Sequence, residues 1–167
     1  NNPTTFLDVS LGELKSINVN FVGELLHPGL YPLHPFSNLI TGLIQVGGID
    51  TTGTLRNISI KRSNKKSTNI DLYDYLLNGN APKDIQLKDQ DIVYIPTRMS
   101  KVYLCSSVVR PGIYEAKTNE SIKDLISFSG GITANASNII GISRIVPLSK
   151  RKTKPYLNEN YYIDYYN

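Results

Sequence analysis

The side chains in this chain of 167 residues that could do chemistry are few, and they do not cluster. His27 and His34 are its only histidines and Cys105 its only cysteine. A metal or catalytic centre needs partners at fixed spacing, and no second histidine or cysteine recurs here at ligand spacing. Cys105 lies in an apolar strand pattern, which predicts a buried, unreactive thiol, and alone it cannot form an internal disulfide. Asp84, Asp89 and Asp91 fall close together, but the central glycine and terminal glutamate of a calcium loop are missing. A turn whose backbone is held by aspartate side chains is the better account. Serine-nucleophile motifs, phosphate-cradling glycine loops and dinucleotide fingerprints are absent. The pairs Gly47-Gly48 and Gly130-Gly131 end apolar helical stretches instead of opening them, the wrong place for binding phosphate. The expectation is a protein that is not an enzyme and has no cofactor and no metal.

Charge and aromatic surface remain. The net charge is +4, and its basic residues gather in two short runs, Arg62-Ser-Asn-Lys-Lys66 and Lys150-Arg-Lys-Thr-Lys154. Such runs are either solvated loop tips or a surface that attracts an anionic polysaccharide, a phospholipid headgroup or nucleic acid. There are 11 tyrosines and no tryptophan, with Tyr156, Tyr161, Tyr162, Tyr165 and Tyr166 crowded near the C-terminus. Tyrosine rings stack on sugars, but tyrosine also favours strands, where it is half buried. The candidate glycan contacts are therefore Arg62, Lys65, Lys66, Arg110, Lys150, Arg151, Lys152, Tyr161 and Tyr165. Tyr31 and Tyr114 are expected to pack against the turns that precede them.

The elements that must position these residues come as a repeat. Residues 19–49 align with 102–132 without a gap at an offset of 83, and seven of the 31 pairs are identical. Most of the seven fix backbone geometry: Pro28, Gly29, Gly47 and Gly48 against Pro111, Gly112, Gly130 and Gly131. A repeat of that kind is one of fold units, each of about 80 residues with a modest core. Hydrophobic content of 40% and charged content of 19% belong to a folded chain.

In the first unit Ile17-Asn-Val-Asn-Phe21 alternates as a half-buried strand, and Leu30 to Leu33 returns beside it through the His27-Pro-Gly turn. A tight hairpin prefers primed turns, so a wider connection is expected. Ser37 would cap a helix running to about Val46, with Leu39, Ile40, Leu43 and Ile44 on its apolar face and the glycine pair as its stop. Strands follow at 56–62 and 68–72, then a brief helix at Tyr73 to Leu77 and a last strand at Ile92 to Ile95. One helix on a small mixed sheet buries these faces most simply, an α+β, β-grasp-like unit.

The second unit repeats the plan. Asn119 is its expected helix cap, and Ile140, Ile142 and Arg144 stand for Ile58, Ile60 and Arg62. Ile163 to Tyr165 stands for Ile70 to Leu72, across a hairpin about eleven residues longer. The expected boundaries are 1–16 for an N-terminal strand-like segment of a preceding part, 17–98 for the first unit and 101–167 for the second. Nothing in the second matches Ile92-Val-Tyr-Ile-Pro96, so it is expected to lack its closing strand and leave a sheet edge open. Thr5 to Val9 is expected to complete a preceding module or to fill that edge. No stretch approaches 18 apolar residues and no signal-peptide pattern opens the chain, which reads as a piece of something longer.

These elements in order resemble the soluble-ligand-binding β-grasp (SLBB) module: Val19 to Tyr31, Leu39 to Gly48, Ile58 to Arg62 and Leu87 to Pro96, with the first two repeated and the third partly so. The second copy departs from the pattern, with Ser106-Ser107 in place of Gly23-Glu24 and no final Leu-x-Asp-x-Asp. The resemblance implies tandem modules of a bacterial outer-membrane polysaccharide exporter, for capsule or exopolysaccharide, facing the periplasm of a Gram-negative cell. It implies a homo-oligomeric ring in the full-length protein around the polysaccharide polymer, an inner-membrane polymerisation or export partner, and a membrane anchor outside these residues. The competing reading is a carbohydrate-binding module that grips acidic glycan. Nucleic-acid uptake is a third; the helix-hairpin-helix that accompanies the module there is missing, and the basic runs are a small footprint, so no nucleic-acid partner is expected.

Overall fold

The computed structural model describes residues 12–63, 66–83 and 85–145, and the backbone of 161–166. The strand expected at Thr5 to Val9 lies outside the described residues. The chain divides into two compact units, one reaching to Val102 and including Glu115–Thr118, the other made of Tyr103–Tyr114 and the residues from Asn119 onward. Each is described by itself.

In the first unit β1 (Ile17–Gly23) turns into β2 (Gly29–Leu33), α1 (Leu39–Gln45) crosses, and β3 (Ile58–Lys61) and β4 (Thr68–Ile70) form a hairpin. Then α2 (Tyr73–Asn78) leads to β5 (Ile92–Ile95). The sheet order is β2-β1-β5-β3-β4, with β5 parallel to β1 and antiparallel to β3. This is the expected α+β, β-grasp-like plan, and the last strand in sequence is the central one in space. Its register sets Phe21 beside Val93 and Ile60 beside Val93 from the other side.

Period-two alternation decides which side chains enter the core. Val19, Phe21, Val93 and Ile95 of the two central parallel strands are fully buried, as are Leu39 and Val46 from the α1 segment and Ile58 from β3. Each such side chain stabilises the unit by about 1.5–3 kcal/mol. The helix can lie this close to the sheet because Gly42 faces Phe21: a Cβ there would come within 2.6 Å of the Phe21 ring. At the aligned positions of the second unit the sizes are exchanged, Leu104 for Phe21 and the buried Leu125 for Gly42.

The caps differ from expectation. Asn38, not Ser37, caps α1, because Thr41 lies three residues on and completes a capping box: the Asn38 side chain accepts from the Thr41 amide and Thr41 Oγ1 accepts from the Asn38 amide. Likewise Ser121, not Asn119, caps α3 (Ile122–Phe128) in the same reciprocal way with Asp124. The glycine pairs end both helices as expected, at φ +85° and +97° in α1 and +85° and +95° in α3. Ile44, on the apolar face with Ile40 and Leu43, is nevertheless 73% exposed.

The second unit contains β6 (Val102–Leu104) paired with β7 (Gly112–Tyr114), then α3, then β8 (Ile140–Ile145) paired antiparallel with β9 (Tyr161–Tyr166). Ile58 faces Ile70 in the first unit, whereas Ile140 faces Tyr166. Tyr166 rather than Ile163 therefore takes the place of Ile70, a register three residues further on that the longer hairpin permits. Cys105 is exposed rather than buried, since β6 ends one residue before it.

Candidate functional site

The turn and helix of the repeated motif recur hydrogen bond for hydrogen bond. The phenol of Tyr31 donates to the His27 carbonyl at 2.9 Å, and that of Tyr114 to the Arg110 carbonyl at 2.8 Å. His27 Nδ1 lies 3.3 Å from the Val46 carbonyl at the end of α1, and Arg110 Nη2 donates to the Phe128 carbonyl at the end of α3. The amide of Leu26 donates to the Gly48 carbonyl and that of Val109 to the Gly131 carbonyl. His27 and Arg110 thus perform one task, serving the open carbonyls of a helix end. The remaining histidine, His34, accepts from the Phe36 amide through Nδ1 at 3.3 Å. Among the described residues no group of three or more His, Cys, Asp or Glu is placed to hold a metal ion.

The predicted contact residues divide. Arg62 is not a loop tip: its Nε meets Asp91 Oδ1 at 2.8 Å, and its Nη2 meets Asp91 Oδ2 at 2.9 Å and the Gln86 carbonyl at 2.6 Å. Asp91 is 1% exposed and also accepts from the Lys88 amide, while Asp89 accepts from the Asn18 amide. These two aspartates hold the approach to β5, and Arg62 clamps it to the end of β3. Lys66 and Arg110 are exposed. Tyr161 and Tyr165 stand opposite Ile145 and Gly141 across the β8–β9 ladder. Lys65, Lys150, Arg151 and Lys152 lie outside the described residues.

A second ionic cluster went unread in the sequence. Arg56, 8% exposed, bonds Asp71 through Nε at 3.2 Å and Nη2 at 3.1 Å, and lies 4.2 Å over the Tyr73 ring. The strap Glu115–Thr118 folds as part of this unit. Glu115 is 7% exposed; its carboxylate accepts from the Leu55 amide at 3.1 Å and from the Thr54 hydroxyl, and its carbonyl accepts from Arg56 Nη1. Lys117 Nζ sits 2.6 Å from Asp71. Burial alone would raise the Asp71 carboxyl, but hydrogen bonds from Arg56, Lys117 and the Tyr73 amide outweigh it and hold the carboxyl below its ordinary value. Burial pushes the Tyr73 phenol up. No segment motif announces this cluster: Glu115 falls opposite Pro32 in the repeat, so only tertiary structure brings it to Arg56.

With these charges committed to internal partners, the most distinctive open surface is apolar. A groove of about 410 Å³ runs between α1 and α2, lined by Ile40, Leu43, Ile44, Leu55, Tyr75 and Leu76 among others. Ile44 and Leu76, 73% and 53% exposed, rise from its walls. Aligned positions of the second unit carry Lys123 for Ile40 and Ser127 for Ile44, so the apolar wall that α1 gives the groove is not repeated there. The groove has the composition of a docking surface rather than of a reaction site, because no convergent polar groups line it.

The fold and this surface define a class: a small α+β, β-grasp-like protein whose open feature is apolar. Residues 101–146 match the SLBB domain family. Two polysialic acid transport proteins of Escherichia coli, both KpsD, are each 34% identical to this chain over 90 residues. That stretch is 53% of this chain and spans only 16% of each relative. No helix among the described residues is long and apolar enough to cross a membrane.

Proposed function

We propose that this chain is a tandem pair of SLBB modules, residues 17–98 and 101–167, in a polysaccharide export protein, and that its task is assembly rather than catalysis. It works on the periplasmic side of the outer membrane of a Gram-negative cell. The modules pack against copies of themselves around the passage of the polymer, with an inner-membrane export partner beneath. The likeness to polysialic acid transport proteins and the SLBB match support the export setting. The observation that carries assembly over glycan binding is the groove on the first unit, apolar, rimmed by Ile44 and Leu76, and without convergent polar groups. A glycan site needs hydrogen-bonding groups aimed at hydroxyls, and Arg62, the best placed of the basic candidates, is already clamped to Asp91.

Replacing Ile44 and Leu76 together by Asp in the full-length protein tests this. Both side chains are exposed, so thermal unfolding of the 167-residue chain should move by less than about 1 kcal/mol. The oligomer of the full-length protein, followed by native mass spectrometry, should fall apart. An intact oligomer would remove the groove from the assembly account. Salt-sensitive binding of an anionic glycan by the 167-residue chain would favour the carbohydrate-binding reading through Lys66, Arg110 and the remaining basic residues.

A further inference from the structure

We infer that Glu115–Thr118 is a latch that shapes the apolar groove of the first unit, by holding Leu55 and the start of α2 in place. The second repeat gives up part of a strand to supply it. β2 has five residues, Gly29–Leu33, and β7 only three, Gly112–Tyr114. The two residues by which β7 falls short, Glu115 and Ala116, align with Pro32 and Leu33. Leu33 is 2% exposed in the core of the first unit, whereas Ala116 is half-buried and offers little side chain to a core. Glutamate in place of proline brings a carboxylate and a backbone N–H, the two groups that seat the latch.

The seat includes residues of the groove itself. The Glu115 carboxylate accepts from the Leu55 amide at 3.1 Å, and the Leu55 carbonyl accepts from the Leu72 amide at 2.9 Å. Both leucines line the groove. The Glu115 amide donates to the Tyr73 phenol oxygen at 2.6 Å, and Tyr73 is the first residue of α2. Two positions along the strap, Lys117 pairs with Asp71 at 2.6 Å, and Asp71 accepts from the Tyr73 amide at 2.9 Å. The strap therefore grips the first turn of α2 at two points.

α2 needs that support. It has six residues, and Leu72 before it supplies no side-chain cap. A helix so short is marginal without tertiary contacts. Within its next turn Tyr75 and Leu76 form the α2 wall of the groove, so a loosened first turn loosens that wall. The facing wall, α1, carries its own capping box of Asn38 and Thr41. Release of the strap should therefore loosen one wall and leave the other. Glu115 is thus a positioning residue of the groove, and a surface of the first unit depends on residues of the second repeat.

Amide hydrogen exchange of the 167-residue chain, read by mass spectrometry, tests this with Glu115→Ala and Glu115→Gln. In Glu115→Ala, peptides covering Leu55 and α2 should exchange about tenfold faster, while those covering β1 and α1 keep the parent rate and report a folded unit. Glu115→Gln keeps an acceptor for the Leu55 amide and should stay within about threefold of the parent. Unchanged exchange of α2 in Glu115→Ala would overturn the proposal. So would equal acceleration of α1 and α2, because the strap would then support the unit as a whole rather than one wall. The proposal concerns the shape of the groove and not its occupant. It stands if the assembly reading fails, which the Ile44 and Leu76 variants test separately.

Discussion

The first and second units share a turn, a reciprocally capped helix and a glycine stop, down to matching hydrogen bonds from Tyr31 and Tyr114. They differ in what lies over that motif. In the first, β5 runs through the middle of five strands, and fourteen buried apolar side chains form one cluster. In the second, the described strands stand in two pairs, and among the described residues Leu125 is the one buried hydrophobic side chain. The motif is thus a local frame that its own hydrogen bonds maintain, while the core depends on a strand arriving from far along the chain. Local closure is cheap in chain entropy and long-range pairing is not, so the two levels can separate.

Paired substitutions can break this comparison. The largest effect should come from Phe21→Ala, which empties the centre of the closed core and should cost about 3–5 kcal/mol. Leu104→Ala, at the half-buried aligned position, should cost about 1 kcal/mol or less. Urea unfolding of each variant measures the difference, and equal losses would mean the second core is closed. Arg62→Met should rank next at about 3 kcal/mol, because it leaves the buried Asp91 carboxylate without its cation. The exposed Arg144→Met should change stability by about 0.5 kcal/mol or less.

Gly23→Ser should cost about 2 kcal/mol, through both the positive φ and the Ile95 carbonyl. Ser106→Gly should lie within about 0.5 kcal/mol of the parent. Thermal melts of the two variants sharpen the comparison at a single backbone position. The smallest effect concerns acid. The Asp71 carboxyl is held below its ordinary value, so its contribution is present above the unfolded pKa and is lost as pH falls through the folded one. Stability of the first unit should therefore decline on acidification below the ordinary carboxylate range. Asp71→Asn should flatten that limb of the stability–pH curve, whereas an unchanged slope would place the acid sensitivity elsewhere.

Much of the frame was legible in the sequence, because proline, glycine and period-two alternation act within a few residues. The turn after β1, the glycine stops of α1 and α3, and the strands of the first unit followed from such signals. The caps were misread by one or two residues, since Asn38 and Ser121 are chosen by Thr41 and Asp124 three positions on rather than by their own type. Ile44 lies beside Ile40 and Leu43 on the apolar face read for α1, but the sheet does not cover that edge of the face and Ile44 stays exposed. Arg62 was taken for part of a loose basic run, and its pairing with Asp91 depends on β3 and β5 becoming neighbours across 29 positions. The Glu115 strap was invisible for the same reason, its partners lying some sixty residues back.

The claim that this chain belongs to polysaccharide export is tested most directly in cells lacking the full-length protein, by measuring polysaccharide at the surface and within the envelope. The account predicts loss from the surface with retention inside, reversed by the intact protein and not by the Ile44→Asp, Leu76→Asp form. Unchanged surface polysaccharide in the cells lacking the protein would contradict it.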